Sequence, residues 1–316
     1  MSHKLLPSRP ERYHGKESSR PYFEGWYFKQ ASNKGAVSVI AGVFRAKKKT
    51  DDTAFVQLLF GSGKSYYFSY TYDKFSVQPD EFEVRIGENF FSMEKVVLCI
   101  EQGGAKVEGQ ISFSDIVPLR TNVLSPSIMG PFSYLPRMQC NHGVLSLTHR
   151  CNGTLSIGND EFVFKDSLGY IEKDWGEAFP SRWVWMQCND EDVSLMCSIA
   201  TIPYGAVNFT GLICVLLVGT KQYRFASYNG ARVVSIEKGE DTLAVALQRG
   251  KYRLDIKTTC TDFGKLVAPT KSGMDRQIDE SLAATFYINL TRRGKKVYSG
   301  TLENGGLEML EADLLV

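Results

Sequence analysis

Two short stretches hold the residue types that acid chemistry needs. In Tyr22-Phe-Glu-Gly-Trp-Tyr-Phe28 an acid sits among aromatics, and in Tyr170-Ile-Glu-Lys-Asp-Trp175 two acids alternate with a tyrosine and a lysine. Side chains on a strand alternate between faces. Tyr22, Glu24, Trp26 and Phe28 then share one face, with Lys29 marking the opposite face as the one that reaches solvent. Tyr170, Glu172 and Asp174 share a face against Ile171, Lys173 and Trp175. In the strand that follows, Trp183, Trp185, Gln187 and Asn189 fall together. Three of the four tryptophans therefore lie within residues 175–185.

A carboxyl group among aromatic walls loses hydration of its charged form, so its pKa rises and it stays protonated near neutral pH. Indole faces stabilise a nearby cation. Together these would protonate a carbon–carbon double bond and hold the carbocation that results. The plainer alternative is a core Trp-x-Trp strand with acids neutralised by Lys173 or Arg182. Pattern alone leaves both open. Glu172 and Asp174 crowd each other, so one of them is expected to keep a proton. Asp174 is the better partner for Lys173 or Arg182, which leaves Glu172 protonated.

Cys140, His142, His149 and Cys151 have the residue types of a zinc site. The intervening Gly143–Thr148 reads as a strand, and on a strand residues 142 and 149 point to opposite faces, so the four do not converge and no metal is expected. The seven cysteines are expected to be reduced thiols.

The elements that must position these residues are short, rich in Val, Ile, Phe, Tyr and Thr, and separated by Gly, Asn, Asp and Lys. Val37–Phe44, Ala54–Phe60, Tyr66–Tyr72, Val193–Ala200, Gly211–Val218 and Ala283–Leu290 are examples. That spacing predicts an all-β chain of up-and-down antiparallel sheet. Weak helical patterning occurs only at Met274–Leu282 and Leu307–Leu315. Residues 118–136 carry four prolines and read as a long ordered crossing loop. A length of 316 residues suits two domains. We expect a flexible arm over 1–20, a first domain over 21–158 and a second over 159–316, the boundary falling at the Gly158-Asn-Asp160 turn. The two Trp-containing stretches faintly echo each other, as a duplicated barrel would.

Lys and Arg number 37 against 35 Asp and Glu, which gives no electrostatic footprint for nucleic acid. The longest apolar run, Leu212–Val218, has seven residues, far short of the ~20 that a membrane-spanning helix needs. The N-terminal segment is polar and basic, unlike a signal peptide. A soluble, cytoplasmic protein is expected, with no integral membrane segment and at most transient membrane contact.

Several ordered blocks resemble the tocopherol cyclase family. They are Tyr22–Lys29, Met138–His149, Gly169–Pro180, Trp183–Asn189 and Ala268–Met274 with Glu280. The resemblance implies two lipocalin-like antiparallel β-barrels in tandem, a scaffold shared with carotenoid 1,2-hydratases and lipocalin-like pericyclases. It also implies a reaction without a cofactor. An acid protonates the alkene of a prenylated phenol or quinol, a tertiary cation forms, and the phenol oxygen adds to it with water kept out. Tyr170-x-Glu172 matches the Tyr-x-Asp element of the hydratases. This makes Glu172 the expected proton donor and Tyr170 its hydrogen-bonding neighbour, with Asp174 and Glu24 as further acids. His142 matches the upstream histidine. Trp26, His142, Trp175, Trp183, Trp185 and Gln187 are the expected substrate contacts. A carrier that binds an apolar ligand unchanged, or a hydratase or pericyclase, would use the same scaffold.

Overall fold

The computed structural model describes residues 9–15, 20–78, 81–136, 138–204, 207–312 and 315. Eleven strands form a first antiparallel sheet: β1 (Tyr22–Ser32), β2 (Gly35–Arg45), β3 (Thr53–Phe60), β4 (Ser65–Thr71), β5 (Phe75–Val77), β6 (Glu83–Ile86), β7 (Asn89–Ser92), β8 (Lys95–Gln102), β9 (Ala105–Val117), β10 (Cys140–Ile157) and β11 (Asp160–Gly176). Ten more form a second: β12 (Trp183–Asp190), β13 (Val193–Tyr204), β14 (Val207–Val218), β15 (Lys221–Ala226), β16 (Arg232–Lys238), β17 (Thr242–Arg249), β18 (Tyr252–Thr259), β19 (Gly264–Pro269), β20 (Met274–Arg292) and β21 (Lys295–Leu310). No α-helix occurs among the described residues. The all-β expectation holds. Of the two segments with weak helical patterning, Met274–Leu282 is strand within β20 and residues 307–310 end β21, while 313–314 lie outside the described residues.

The sheets are built alike. In the first, β1 pairs with β2 and β11, and the outermost strands β4 and β5 are joined by a single 3₁₀ turn at Tyr72–Lys74. In the second, β12 pairs with β13 and β21, and the outermost strands β15 and β16 are joined by the turn Ser227–Asn229. Each sheet curls so that its ends meet, giving the lipocalin-like form. Each encloses its own core. Trp26, Phe28, Val39, Leu58, Ile86, Phe91 and Ile171 fill the first. Val184, Met186, Leu195, Phe225, Leu254, Phe286 and Leu302 fill the second.

The turn at residues 158–160 lies between β10 and β11, which pair with each other inside the first sheet. The chain crosses to the second sheet at residues 177–182. The crossing loop after β9 is ordered over its described residues. It buries Ile128 and Met129 and is held to the second sheet by Tyr228 Oη, which donates to the Ile128 carbonyl at 2.9 Å.

Of the N-terminal arm, residues 9–15 are packed rather than loose. Trp26 Nε1 donates to the Glu11 carbonyl at 3.2 Å, and His14 stacks on Trp175 with centroids 4.3 Å apart. A Cβ at Gly143 would come within 2.4 Å of Pro10, so only glycine admits the arm there.

A third apolar layer lies between the outer faces of the two sheets. Tyr27, Leu59, Tyr170, Trp183, Trp185, Met196, Leu266 and Ile278 belong to it. Alternation explains the division. Along β1, even-numbered residues enter the first core, while Tyr27 and Lys29 face the second sheet. Along β12, Val184, Met186 and Cys188 enter the second core, while Trp183 and Trp185 face the first sheet.

Candidate active site between the sheets

A cavity opens within this third layer. Tyr27, Ile40, Trp183, Trp185, Ile213 and Leu266 are among its walls, Cys140 lies in its lining, and His142, Glu172, Asp174, Glu280 and Glu308 are its imidazole and carboxyl groups. All five come from the outer faces of β10, β11, β20 and β21, so neither barrel interior contributes an acid.

On one wall, β10 and β11 place His142 opposite Asp174 and Val144 opposite Glu172. His142 Nδ1 lies 2.8 Å from Asp174 Oδ1, and its Nε2 lies 3.2 Å from Glu172 Oε2 as a charge contact. Burial works against a charged imidazole, but Asp174 and Glu172 outweigh it and hold the pKa of His142 well above the ordinary histidine value. Glu172 Oε2 also accepts from Tyr170 Oη at 2.6 Å and from Trp185 Nε1 at 3.1 Å. A Cβ at Gly306 would come within 2.6 Å of the Trp185 ring, so the missing side chain there is what lets the indole lie in place.

On the facing wall, β20 and β21 put Glu280 and Glu308 side by side in register. Glu280 is fully buried and Glu308 half-buried in the cavity lining. Glu280 Oε1 accepts from Tyr27 Oη at 2.5 Å, and its Oε2 has no hydrogen-bond partner among the described residues. Glu308 Oε2 accepts from Trp183 Nε1 at 2.6 Å. Burial first, then the neighbouring charges of Glu308 and Glu172, push Glu280 well above the usual carboxylate range. Burial, with Glu172 and Asp174, pushes Glu308 up to about 8 against the pull of Trp183. Both carboxyls are therefore shifted toward the protonated form.

The structure divides the residues singled out from sequence. It brings Tyr170, Glu172, Asp174, His142, Trp183 and Trp185 together at the cavity. It sends Glu24, Trp26 and Trp175 to the other side of the first sheet. Glu24 is buried against Lys173, accepts from the backbone N–H of His14 at 2.9 Å and of Gly15 at 3.0 Å, and accepts from Tyr22 Oη. Burial would raise its pKa, but Lys173 and His14 hold it below the ordinary value, so it is an ion-pair member. The same pairing overturns the expected partners of Asp174. Lys173 is taken by Glu24, and Arg182 pairs with Glu311 at 3.0 Å. His142 takes their place.

Lys29 does not reach solvent. It is 4% exposed between the sheets and donates to Gln187 Oε1 at 2.9 Å, which holds Gln187 beside the cavity rather than in its lining. Burial lowers its pKa to about 8. His149 lies on the opposite face of β10 from His142, against Phe113 in the first barrel, although two register shifts between them interrupt the alternation. All seven cysteines are free thiols. Ligating atoms of His142, Glu172 and Asp174 lie within 4.8 Å of one another, so among the described residues these three could hold a metal ion. As they stand, the imidazole between the two carboxylates serves both of them.

Sequence reasoning missed Glu308 and Tyr27, and Glu280 entered only through the family pattern. Glu308 alternates with the apolar Leu307 and Met309, a strand signal that the weak helical patterning of Leu307–Leu315 masks.

A model of tocopherol cyclase-like proteins matches residues 118–309, more than half of the chain and the part that supplies nine of the ten strands of the second sheet in full. The chain belongs to the tocopherol cyclase-like family. Among its relatives is a probable chloroplastic tocopherol cyclase of Oryza sativa subsp. japonica, 24% identical over 237 residues that cover 56% of this chain and 48% of the rice protein. The chain thus spans about half the length of that relative. The chloroplastic tocopherol cyclase of Zea mays is 40% identical over 37 residues, 12% of this chain and 8% of the maize protein. Solved structures share the fold across nearly the whole length. A putative AttH from Nitrosomonas europaea aligns over 98% of both chains with a TM-score of 0.57 at 11% identity. CghA, solved with Sch210972, aligns over 93% of this chain and 89% of its own, with a TM-score of 0.57 at 8% identity. Kievitone hydratase from Nectria haematococca aligns over 96% and 94%, with a TM-score of 0.52 at 12% identity. At these identities the likeness is one of fold.

Proposed function

We propose that this family member closes a ring on a prenylated phenol or quinol by acid catalysis, without a cofactor, in the cavity between its two sheets. The observation that carries the reading is the pair of adjacent carboxyls Glu280 and Glu308, both shifted toward the protonated form in an aromatic cavity, facing the hydrogen-bonded Tyr170 and Glu172 and the His142–Asp174 pair.

The division of labour follows from that geometry. Glu280 Oε2, free of other partners among the described residues, gives its proton to the less substituted carbon of the alkene, forming a C–H bond and a tertiary cation. The ring faces of Trp183, Trp185 and Tyr27 stabilise that cation. A lone pair of the phenol oxygen closes the C–O bond, and the phenolic proton passes to Glu172. The electron count is unchanged and the product is an isomer of the substrate. Return of the proton from Glu172 to Glu280 completes the cycle. The apolar walls keep out water, which would otherwise capture the cation as a tertiary alcohol.

Incubation with prenylated hydroquinones of increasing chain length in D₂O tests this. The expected product has the substrate's composition with one deuterium on the carbon beside the new C–O bond. A product heavier by one water would make the protein a hydratase. Saturable binding with no product from any member would make it a carrier.

A further inference from the structure

The rim of the cavity continues outward into an apolar surface that folding does not explain. In the crossing loop, Asn122 and Ser125 exchange both backbone hydrogen bonds, at 3.1 and 3.0 Å, and close a tight turn. Its two tip residues are Val123 and Leu124, 70% and 79% exposed. Turn tips favour Gly, Asn, Asp, Ser or Pro, each for a backbone reason that a β-branched valine and a leucine do not satisfy. Tyr134 Oη donates to the Val123 carbonyl and ties this tip to the 3₁₀ turn Gly130–Tyr134. Phe132 of that turn meets Phe209 of β14, with centroids 6.1 Å apart, and both rings line the cavity. Next to Phe209 the strand begins at Val207, 67% exposed. The exposed surface is thus continuous with the cavity wall.

Acidic side chains are missing from the two segments that form this surface, while the Arg224 guanidinium donates to Ser125 Oγ of the turn and to the Arg120 carbonyl. Residues 193–220 contain no Asp, Glu, Lys, Arg or His, and residues 118–136 contain only Arg120. Protein partners are met by an apolar centre inside a polar rim with hydrogen bonds. A lipid surface asks for aliphatic side chains at the tip, an aromatic ring with a polar end at the level of the headgroups, and no acids. Val123, Leu124 and Val207 supply the first and Tyr134 the second.

We propose that Val123, Leu124, Tyr134, Val207 and Phe209 dock the protein on a lipid surface, with the cavity opening against the lipid so that an apolar ligand enters without crossing water. The docking surface stands on exposure and charge, and the passage of ligand rests on the function proposed above. The experiment is co-sedimentation with phosphatidylcholine vesicles, without added ligand, for the wild type and for a triple variant Val123→Ser, Leu124→Ser, Val207→Ser. None of the three side chains lines the cavity. The wild type is expected to sediment with vesicles, and the triple variant to partition at least tenfold more weakly. Both should cyclise detergent-solubilised prenylated hydroquinone equally. Equal sedimentation of the two proteins, or none by the wild type, overturns the docking surface. A wild-type dimer that the triple variant dissociates, with no vesicle binding, also overturns it and makes the patch a contact between copies. The two readings fail separately, because vesicle partition is read without ligand and turnover is read without vesicles.

Discussion

Glu280 and Glu308 stand directly across from each other on β20 and β21, and both side chains reach the cavity that Trp183 and Trp185 wall. Two carboxyls this close in an apolar cavity disfavour each other's charged form, even with Lys29 near enough to pull Glu280 the other way. A proton is therefore stored beside an apolar space, which is what protonating an alkene requires.

Glu280→Gln keeps the size and the acceptor for Tyr27 but has no acidic proton to give. Turnover should fall on the order of 10²–10⁴-fold while ligand binding persists. Glu24→Gln, on the far side of the first sheet, should leave the rate of the folded protein unchanged. Steady-state rates with calorimetric binding check both. If Glu280→Gln turns over at the wild-type rate, the donor lies elsewhere in the cavity.

The Glu308 carboxyl has a folded-state pKa of about 8 against an ordinary value of 4.5. Between those values the native state holds a proton that the unfolded chain has lost, so this group makes stability fall as pH rises. The slope reaches about 1.4 kcal/mol per pH unit for one proton. Below the ordinary value and above about 8 it contributes no slope. Urea unfolding of the wild type and Glu308→Gln between pH 6.5 and 8 should show a shallower decline in the variant. Parallel curves would mean that Glu308 is ionised in the fold.

Lys173 and Glu24 are a buried pair whose loss should be felt in stability. Lys173→Met leaves Glu24 charged in a dry site and should cost about 3–5 kcal/mol. Lys173→Met combined with Glu24→Gln should recover part of that. Denaturant titration of the single and double variants measures the coupling, and additive losses would show the pair to be energetically independent.

Ligand in the cavity should quench Trp183 and Trp185 but not Trp26 or Trp175, which face the first core and the docked arm. Saturable quenching by a prenylated hydroquinone should survive replacement of Trp26 and Trp175 by Phe, and vanish when Trp183 and Trp185 are replaced. The opposite pattern would place the ligand inside the first barrel.

Alternation made much of this site legible. It grouped Tyr170, Glu172 and Asp174 on one face, Trp183 and Trp185 on another, and separated His142 from His149, because side-chain direction along a strand is local information. What it could not say is which face of a sheet borders the ligand. Lys29 looked like a mark of solvent, yet its face lies between two sheets, and only the tertiary arrangement reveals that. Charge pairing was equally non-local. Lys173 neighbours Asp174 in sequence, but it lies on the opposite face of β11, where Glu24 takes it. Glu308 became a site residue only through its register with Glu280, and no pattern within residues 295–310 encodes what lies across from it.

Because each barrel fills its own interior, the cavity borrows almost nothing from either core, Leu212 being the one residue that serves both. Ile40, Ile202 and Ile213 can therefore be made smaller or larger with little penalty to the barrels themselves. A family built this way can change the size and shape of what it accepts by substitutions on outward faces, and so explore new substrates without first spending the stability that a conventional lipocalin, with its ligand inside the barrel, must risk.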